Sequence, residues 1–446
     1  MGARELALEV LERVGRAGAF ADLALHAALE RGDLGPEERA LATELVCGTL
    51  RWRGRLDFAL AAVLERGLEK LEPRVVDLLR LGAYQILFLD RVPDAVAVSE
   101  SVRLARAVGL GRAAGLVNAA LRRLARERER LPLPRLEDDP LGHLVHALSI
   151  PGWIAERWIA AYGAESAAEL ARASNTPAPP TVRANRRRIG RDPLLAELRE
   201  RFPDAEPCRF APDGLRLGRG DVARDPAFRD GRFTIQDEAS QLVVEWLDPK
   251  PGERVLDACA APGAKATAIA ERVGDAGCVL ALDRHARRLG LVARDARRLG
   301  LANLRTLQAD ASRPLDGVAA PASFDRVLVD APCSGLGALR RNPDARWRLQ
   351  PSALGELAAL QRALLLRVRP LLVPGGALVY STCTLATEEN EAVIDAFLAE
   401  APEFRRAAAP PPASIAPLVG RDGFLRTFPQ RIDADGFFAA RLERTG

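Results

Sequence analysis

Three short stretches of this 446-residue chain carry residue types able to do covalent chemistry. Asp330-Ala331-Pro332-Cys333-Ser334-Gly335 and Tyr380-Ser381-Thr382-Cys383-Thr384 each place a cysteine at the end of an apolar run that reads as a β-strand. Asp257-Ala258-Cys259-Ala260-Ala261-Pro262-Gly263-Ala264-Lys265 follows another such run and opens a helical stretch, Ala266 to Val273. A buried cysteine is ordinarily a small inert hydrophobe, and Cys47, Cys208 and Cys278 are read that way. A thiol at a strand end stands instead where open sheets of parallel strands bind ligands, and there its thiolate can act as a nucleophile. None of the six cysteines forms a CxxC pair, and the four histidines lie away from them. Reduced thiols are therefore expected rather than disulfides, and no metal site.

The small-residue turn is neither a GxGxxG nor a P-loop, because Ala266 stands where a P-loop needs Ser or Thr. That disfavours dinucleotides and nucleoside triphosphates. Asp283 ends the next strand, where a carboxylate can hold a ribose diol. Asp310 follows the strand after that, and Asp330 ends the fourth. Carboxylates at successive strand ends around such a turn suit a nucleoside with a positive charge, and S-adenosyl-L-methionine is such a ligand. The alternative for each aspartate is that it only caps the helix that follows.

The elements that must position these residues alternate from Phe233 onward. Strands are expected at Arg254 to Asp257, Cys278 to Asp283, Leu304 to Gln308, Asp325 to Asp330 and Gly376 to Ser381. Helical stretches such as Arg284 to Leu299 and Ser352 to Arg369 separate them. This pattern predicts an α/β domain over 233–446 with a mostly parallel sheet. Residues 1–135 are almost entirely helical in pattern, with Val75 to Leu89 apolar enough for the central helix of a bundle. Between the two, 141–232 reads as a small α+β connector, with Leu131-Pro132-Leu133-Pro134 and Asp138-Asp139-Pro140 breaking the helical pattern before it.

Charge is unevenly spread. Only Lys70, Lys250 and Lys265 of the 64 basic residues are lysines. Arg103 to Arg130 holds 8 basic and 2 acidic residues, and five arginines fall between Arg183 and Arg191 with no acid. Such runs are either solvated faces or the footprint of a nucleic-acid contact. Charged residues make up 28% of the chain, and no apolar stretch approaches the ~18 residues of a membrane span. The N-terminus carries acids where a signal peptide needs a basic start. A soluble, cytoplasmic protein is expected, without membrane or DNA partners, and a monomer.

Taken together, Val255 to Lys265, the DAPCSG at Asp330 and the STCT at Ser381 resemble the RNA cytosine-5 methyltransferases of the Sun/NSUN superfamily. Phe233 to Gln241, Arg340-Arg341-Asn342-Pro343-Asp344 and Asp435-Gly436-Phe437-Phe438-Ala439 are similar to segments found there as well. The helical front end, including Val117 to Arg122, resembles the NusB RNA-binding fold. That layout is the one found in bacterial enzymes that methylate cytosine 967 of 16S rRNA. The resemblance implies a NusB-like bundle, a connector and a Rossmann-like methyltransferase domain that binds S-adenosyl-L-methionine. It further implies that Cys383 is the nucleophile at cytosine C6, that Cys333 assists elimination, and that Asp330 meets the pyrimidine edge. Cys259, Ala260, Ala261, Pro262, Gly263, Ala264, Lys265, Asp283, Asp310 and Asp330 would hold the cofactor, and Arg183, Arg186, Arg187, Arg340 and Arg341 the RNA.

Family members usually read PGGKT where this chain has Pro262-Gly263-Ala264-Lys265-Ala266, and the change at 264 matters only if φ is positive there. Three other readings stay open. One is a tRNA or other rRNA cytosine-5 methyltransferase; another is a NusB-like antitermination factor with a silent methyltransferase fold. The third is a DNA cytosine-5 methyltransferase, against which stands the lack of an ENV segment after the fourth-strand cysteine.

Overall fold

The computed structural model describes residues 2–65, 67–218 and 220–445. The chain forms two compact units, Met1–Thr176 with Leu339–Leu349, and Pro177–Ala338 with Gln350–Gly446. Among the described residues no helix is long and apolar enough to cross a membrane.

The first unit is helical because its apolar residues recur at three- and four-residue intervals. Leu6, Val10 and Val14 of Ala3–Ala17, and Val117, Leu121 and Leu124 of Ala114–Glu127, are buried in one core. Pro73–Phe88 runs through that core, with Val75, Leu78, Leu79, Leu81 and Ile86 all buried. Gly48 of Pro36–Arg51 lets it approach that helix closely, since a Cβ there would lie 2.0 Å from the Tyr84 ring.

Leu339–Leu349 joins this unit from far along the sequence through Arg346, whose side chain is fully buried. Its guanidinium donates to the Ser149 and Ser174 carbonyls, each at 3.2 Å, and to Asn175 Oδ1 at 2.8 Å. Carbonyls rather than a carboxylate surround it, so burial pushes its pKa down to about 9. The two units divide inside the stretch 141–232. Helices Gly152–Tyr162 and Ala164–Ser174 fold with the bundle, whereas the strands that follow belong to the second unit.

Those strands are β1 (Thr181–Ala184), β2 (Glu206–Pro207), β3 (Gly214–Arg216) and β4 (Phe233–Ile235), an antiparallel sheet in the order β2-β3-β1-β4. The large sheet contains β5 (Arg254–Asp257), β6 (Cys278–Asp283), β7 (Leu304–Gln308), β8 (Phe324–Asp330), β9 (Leu372–Thr382), β10 (Phe404–Arg406) and β12 (Phe438–Arg444). Its order is β10-β12-β9-β8-β5-β6-β7, with β11 (Phe424–Arg426) paired to β12. Strands β5 to β9 are parallel and β10 to β12 add an antiparallel edge. Leu256, Val327, Leu328, Leu378 and Val379 are wholly buried, as strands covered on both faces require. Strands β8 and β9 are neighbours with Asp330 in register with Ser381, so the two cysteine-bearing loops leave the sheet side by side.

Candidate active site

The turn after β5 is shaped by Gly263, at φ +119°, where a Cβ would press on the Val292 backbone at 3.1 Å. The glycine requirement falls there and not on the next residue. Ala264 opens helix Ala264–Val273 and has no positive φ, so its methyl group is accommodated without backbone strain. Ala260 and Ala261 are buried beneath the turn. Cys259, Asp283, Arg288, Asp310, Pro332 and Leu364 line a cleft over the ends of β5, β6 and β7.

Each strand-end aspartate has a different environment. Asp283 accepts from the Ala261 amide at 3.3 Å and the His285 amide at 2.8 Å, tying the turn to the start of the next helix. Asp310 accepts from the amide and hydroxyl of Ser312, and the hydroxyl bond draws its pKa down. Asp330 takes Lys265 Nζ at 2.7 Å on one oxygen and Ser381 Oγ at 2.8 Å on the other. Lys265 Nζ also lies 5.0 Å from the centre of the Phe437 ring.

Beyond Asp330 and Ser381 the two loops bring Cys333 Sγ to 3.4 Å from Cys383 Sγ. Both side chains are half-buried. The pKa of Cys333 is pushed well above its ordinary value, first by its hydrogen bond with Cys383 and then by burial. Two thiols in contact, beside a carboxylate–ammonium pair and a cleft rimmed by carboxylates, can bind a cationic nucleoside and attack an electron-poor ring next to it.

A family model described as 16S rRNA methyltransferase RsmB/F matches residues 244–443. The NusB family model matches residues 1–126, and the ferredoxin-like domain of RsmF/B-like methyltransferases matches residues 150–223. The chain is 37% identical to the probable ribosomal RNA small subunit methyltransferase B of Bacillus subtilis, over 99% of both chains. It is 36% identical to ribosomal RNA small subunit methyltransferase B of Pseudomonas putida, over 99% of this chain and 98% of that one. The crystal structure of PH0851 is similar to it with a TM-score of 0.82 and 26% identity, covering 100% of this chain and 99% of that one. The chain belongs to the ribosomal RNA small subunit methyltransferase B family. It is an S-adenosyl-L-methionine-dependent RNA cytosine-5 methyltransferase, built from a NusB-type helical domain, a ferredoxin-like connector and a methyltransferase domain.

The cofactor of this family fits the residues present. Asp257, at the end of β5, is completely buried, and its oxygens make no hydrogen bond of good geometry, with the Cys259 amide offering partial compensation. Burial first, and the charge of Asp330 second, push its pKa up to about 7. A carboxyl so poorly compensated is relieved by a cationic ligand group, and S-adenosyl-L-methionine carries both a sulfonium and an ammonium.

Asp257 was not among the expected cofactor residues, yet it ends its strand just as Asp283 and Asp330 end theirs, and that shared placement is the signal in the sequence that points to it. Two of the arginines expected to hold RNA are instead structural. Arg183 is buried, paired with Glu271 at 2.8 Å and donating to the Ala264 carbonyl at 2.8 Å, so it braces the turn after β5. Arg340 is buried in the first unit and donates to the Thr176 carbonyl. An alternating strand points every second side chain inward, and a run of arginines does not reveal which ones. Arg186 pairs with Asp213 and Arg187 with Asp275, and the two retain partial exposure, as does Arg341. Cys278, expected to be buried, is exposed at the first position of β6.

Proposed function

We propose that this enzyme methylates C5 of a cytosine in 16S rRNA, cytosine 967, through a covalent adduct between Cys383 and C6 of the base. The observation that carries the mechanism is the 3.4 Å contact between Cys383 and Cys333 at the ends of neighbouring strands. C5 of cytosine is a poor nucleophile. Addition of the Cys383 thiolate to C6 breaks the C5–C6 double bond and moves electron density to C5. S-adenosyl-L-methionine, when bound, supplies the electrophilic methyl group. Loss of the C5 proton and expulsion of the Cys383 sulfur then restore the double bond and release the product.

The thiol pair supports a division of labour. With its own proton retained, Cys333 can donate to the Cys383 sulfur at 3.4 Å. Once Cys383 is bonded to carbon, the hydrogen bond that chiefly holds the Cys333 pKa high is gone. Cys333 then loses its proton more readily, at the step where a base is needed to take the C5 proton. Asp330, held by Lys265 and Ser381, is placed to meet the pyrimidine edge. Asp257, Asp283, Asp310 and the turn from Cys259 to Lys265 would hold the cofactor.

For the RNA, the favoured surface is the groove of about 760 Å³ between helices Asp94–Ala107 and Ala114–Glu127, lined by Arg103, Arg106, Arg122 and Arg126. The enzyme would act in the cytoplasm as a monomer. The decisive experiment incubates cofactor and an rRNA fragment with Cys383→Ala and Cys333→Ala enzymes. Cys383→Ala should form no adduct and no product, while Cys333→Ala should accumulate RNA on Cys383 as a complex stable to denaturing electrophoresis. An adduct in Cys383→Ala overturns the assignment of roles. Bisulfite sequencing of rRNA and tRNA from cells with and without the gene identifies the target, and a site lost in tRNA alone would reject 16S rRNA.

A further inference from the structure

Beyond the ends of β8 and β9 the backbones of the two cysteine loops stay joined by the Ala331 amide to the Ser381 carbonyl and the Gly337 amide to the Cys383 carbonyl, each at 2.9 Å, and side chains do the rest. One buried carboxylate, that of Glu389, lies where the residues that follow the two cysteines meet. Glu389 is fully buried and forms no ion pair among the described residues. Its Oε2 accepts from the Ser334 amide at 2.9 Å and from Gln361 Nε2 at 2.9 Å, and its Oε1 accepts from the Ser334 hydroxyl. Ser334 Oγ lies 2.7 Å from Thr384 Oγ1. Ser334 and Thr384 are the residues that follow Cys333 and Cys383. Gln361 also donates to the Pro332 carbonyl at 2.9 Å, so the first loop is gripped on both sides of its cysteine. The next residue, Asn390, takes the Thr382 hydroxyl at 2.6 Å and donates to the Thr384 carbonyl at 3.1 Å, gripping the second loop in the same way.

We propose that Glu389 is a positioning residue for the two-thiol site: its carboxylate joins the residues after each cysteine and thereby sets the separation of the two sulfurs. This rests on the two-cysteine mechanism proposed above. A carboxylate suits the place because its surroundings offer donors, namely two N–H groups and two hydroxyls. Those donors oppose the burial that pushes the Glu389 pKa up. A glutamine there would set an N–H₂ against one of the same donors, and an alanine would leave them unsatisfied. The sequence offers no sign of this role, because Glu389 stands among Glu388 and Glu391 in what reads as a solvated acidic run.

The test uses the full-length enzyme and reads the thiol separation apart from catalysis. Dibromobimane bridges two adjacent thiols and becomes fluorescent, and mass spectrometry assigns the bridge to Cys333 and Cys383. In Glu389→Gln, bridging and single-turnover methylation should both slow by about 10–100-fold, the scale of a ~1 Å misplacement of reacting groups. Cofactor and RNA dissociation constants should remain within about twofold of wild type. The double variant Ser334→Ala/Thr384→Ala keeps the carboxylate, removes the hydroxyl links, and should reproduce the effect even where Glu389→Gln does not fold. Adding Glu389→Gln to it should then slow methylation little further. Unchanged bridging in folded Glu389→Gln and in the double variant overturns the proposal, whatever happens to methylation. Slowed bridging together with a Cys383→Ala enzyme that still methylates would keep the positioning role and reject the mechanism it serves.

Discussion

Asp257 should make the stability of the ligand-free protein fall with rising pH, and replacing it by asparagine should remove that fall. Its carboxyl is fully buried at the end of β5 without good hydrogen bonds, and its pKa is raised from 3.8 to about 7, chiefly by burial. Because the folded value lies above the unfolded one, folding takes up a proton between these limits. The group imposes no penalty below pH 3.8, where both states are protonated, and its full penalty above pH 7, where both are ionised. The gap corresponds to ~4 kcal/mol at 1.36 kcal/mol per pH unit. At roughly 2–4 °C per kcal/mol that amounts to about 10 °C in the melting temperature of the methyltransferase unit. Thermal melts of wild type and Asp257→Asn from pH 4.5 to 8.5 provide the measurement. The difference between the two curves should shift in favour of asparagine as pH rises, and saturating S-adenosyl-L-methionine should shrink the wild-type slope by pairing the carboxylate. Parallel curves for the two proteins across that range would refute the reasoning, because they would mean that Asp257 titrates alike in the folded and unfolded chains.

Asp283→Ala should weaken S-adenosyl-L-methionine binding by ~1–3 kcal/mol, the scale of losing charge-assisted hydrogen bonds, measured by calorimetry on folded protein. Arg183→Met leaves Glu271 buried without its partner and should cost ~3–5 kcal/mol of stability, while the salt dependence of RNA binding stays as in wild type. Neutralising Arg106, Arg122 and Arg126 should do the reverse. The melt should hold, and the slope of log K against log salt should flatten by roughly 0.7–0.9 for each phosphate that is no longer neutralised; an unchanged slope would mean that this face is merely solvated.

Much of this protein could be read from local pattern. The five parallel strands, the turn at Asp257 to Lys265 and the helical front end follow from runs of apolar residues, their period and the residues that break them. Such signals act over a few residues and need no knowledge of what lies across the core. Local pattern also located Cys333 and Cys383 at strand ends. Their 3.4 Å contact depends on β8 and β9 being neighbours in register, and that pairing is a property of the sheet, not of either strand. The same holds for the basic run after the connector's proline-rich turn. Arg183 and Arg186 belong to one basic run, but one is buried against Glu271 and the other is partly exposed beside Asp213. Glu389 shows the limit most plainly, because an acidic run on a loop normally faces water, and only the convergence of Ser334, Gln361 and Thr384 supplies enough donors to bury one of its carboxylates. Sequence determined which groups could do the chemistry. Tertiary structure decided which of them are dry, paired and close enough to do it, since burial and contact are set by residues dozens or hundreds of positions away.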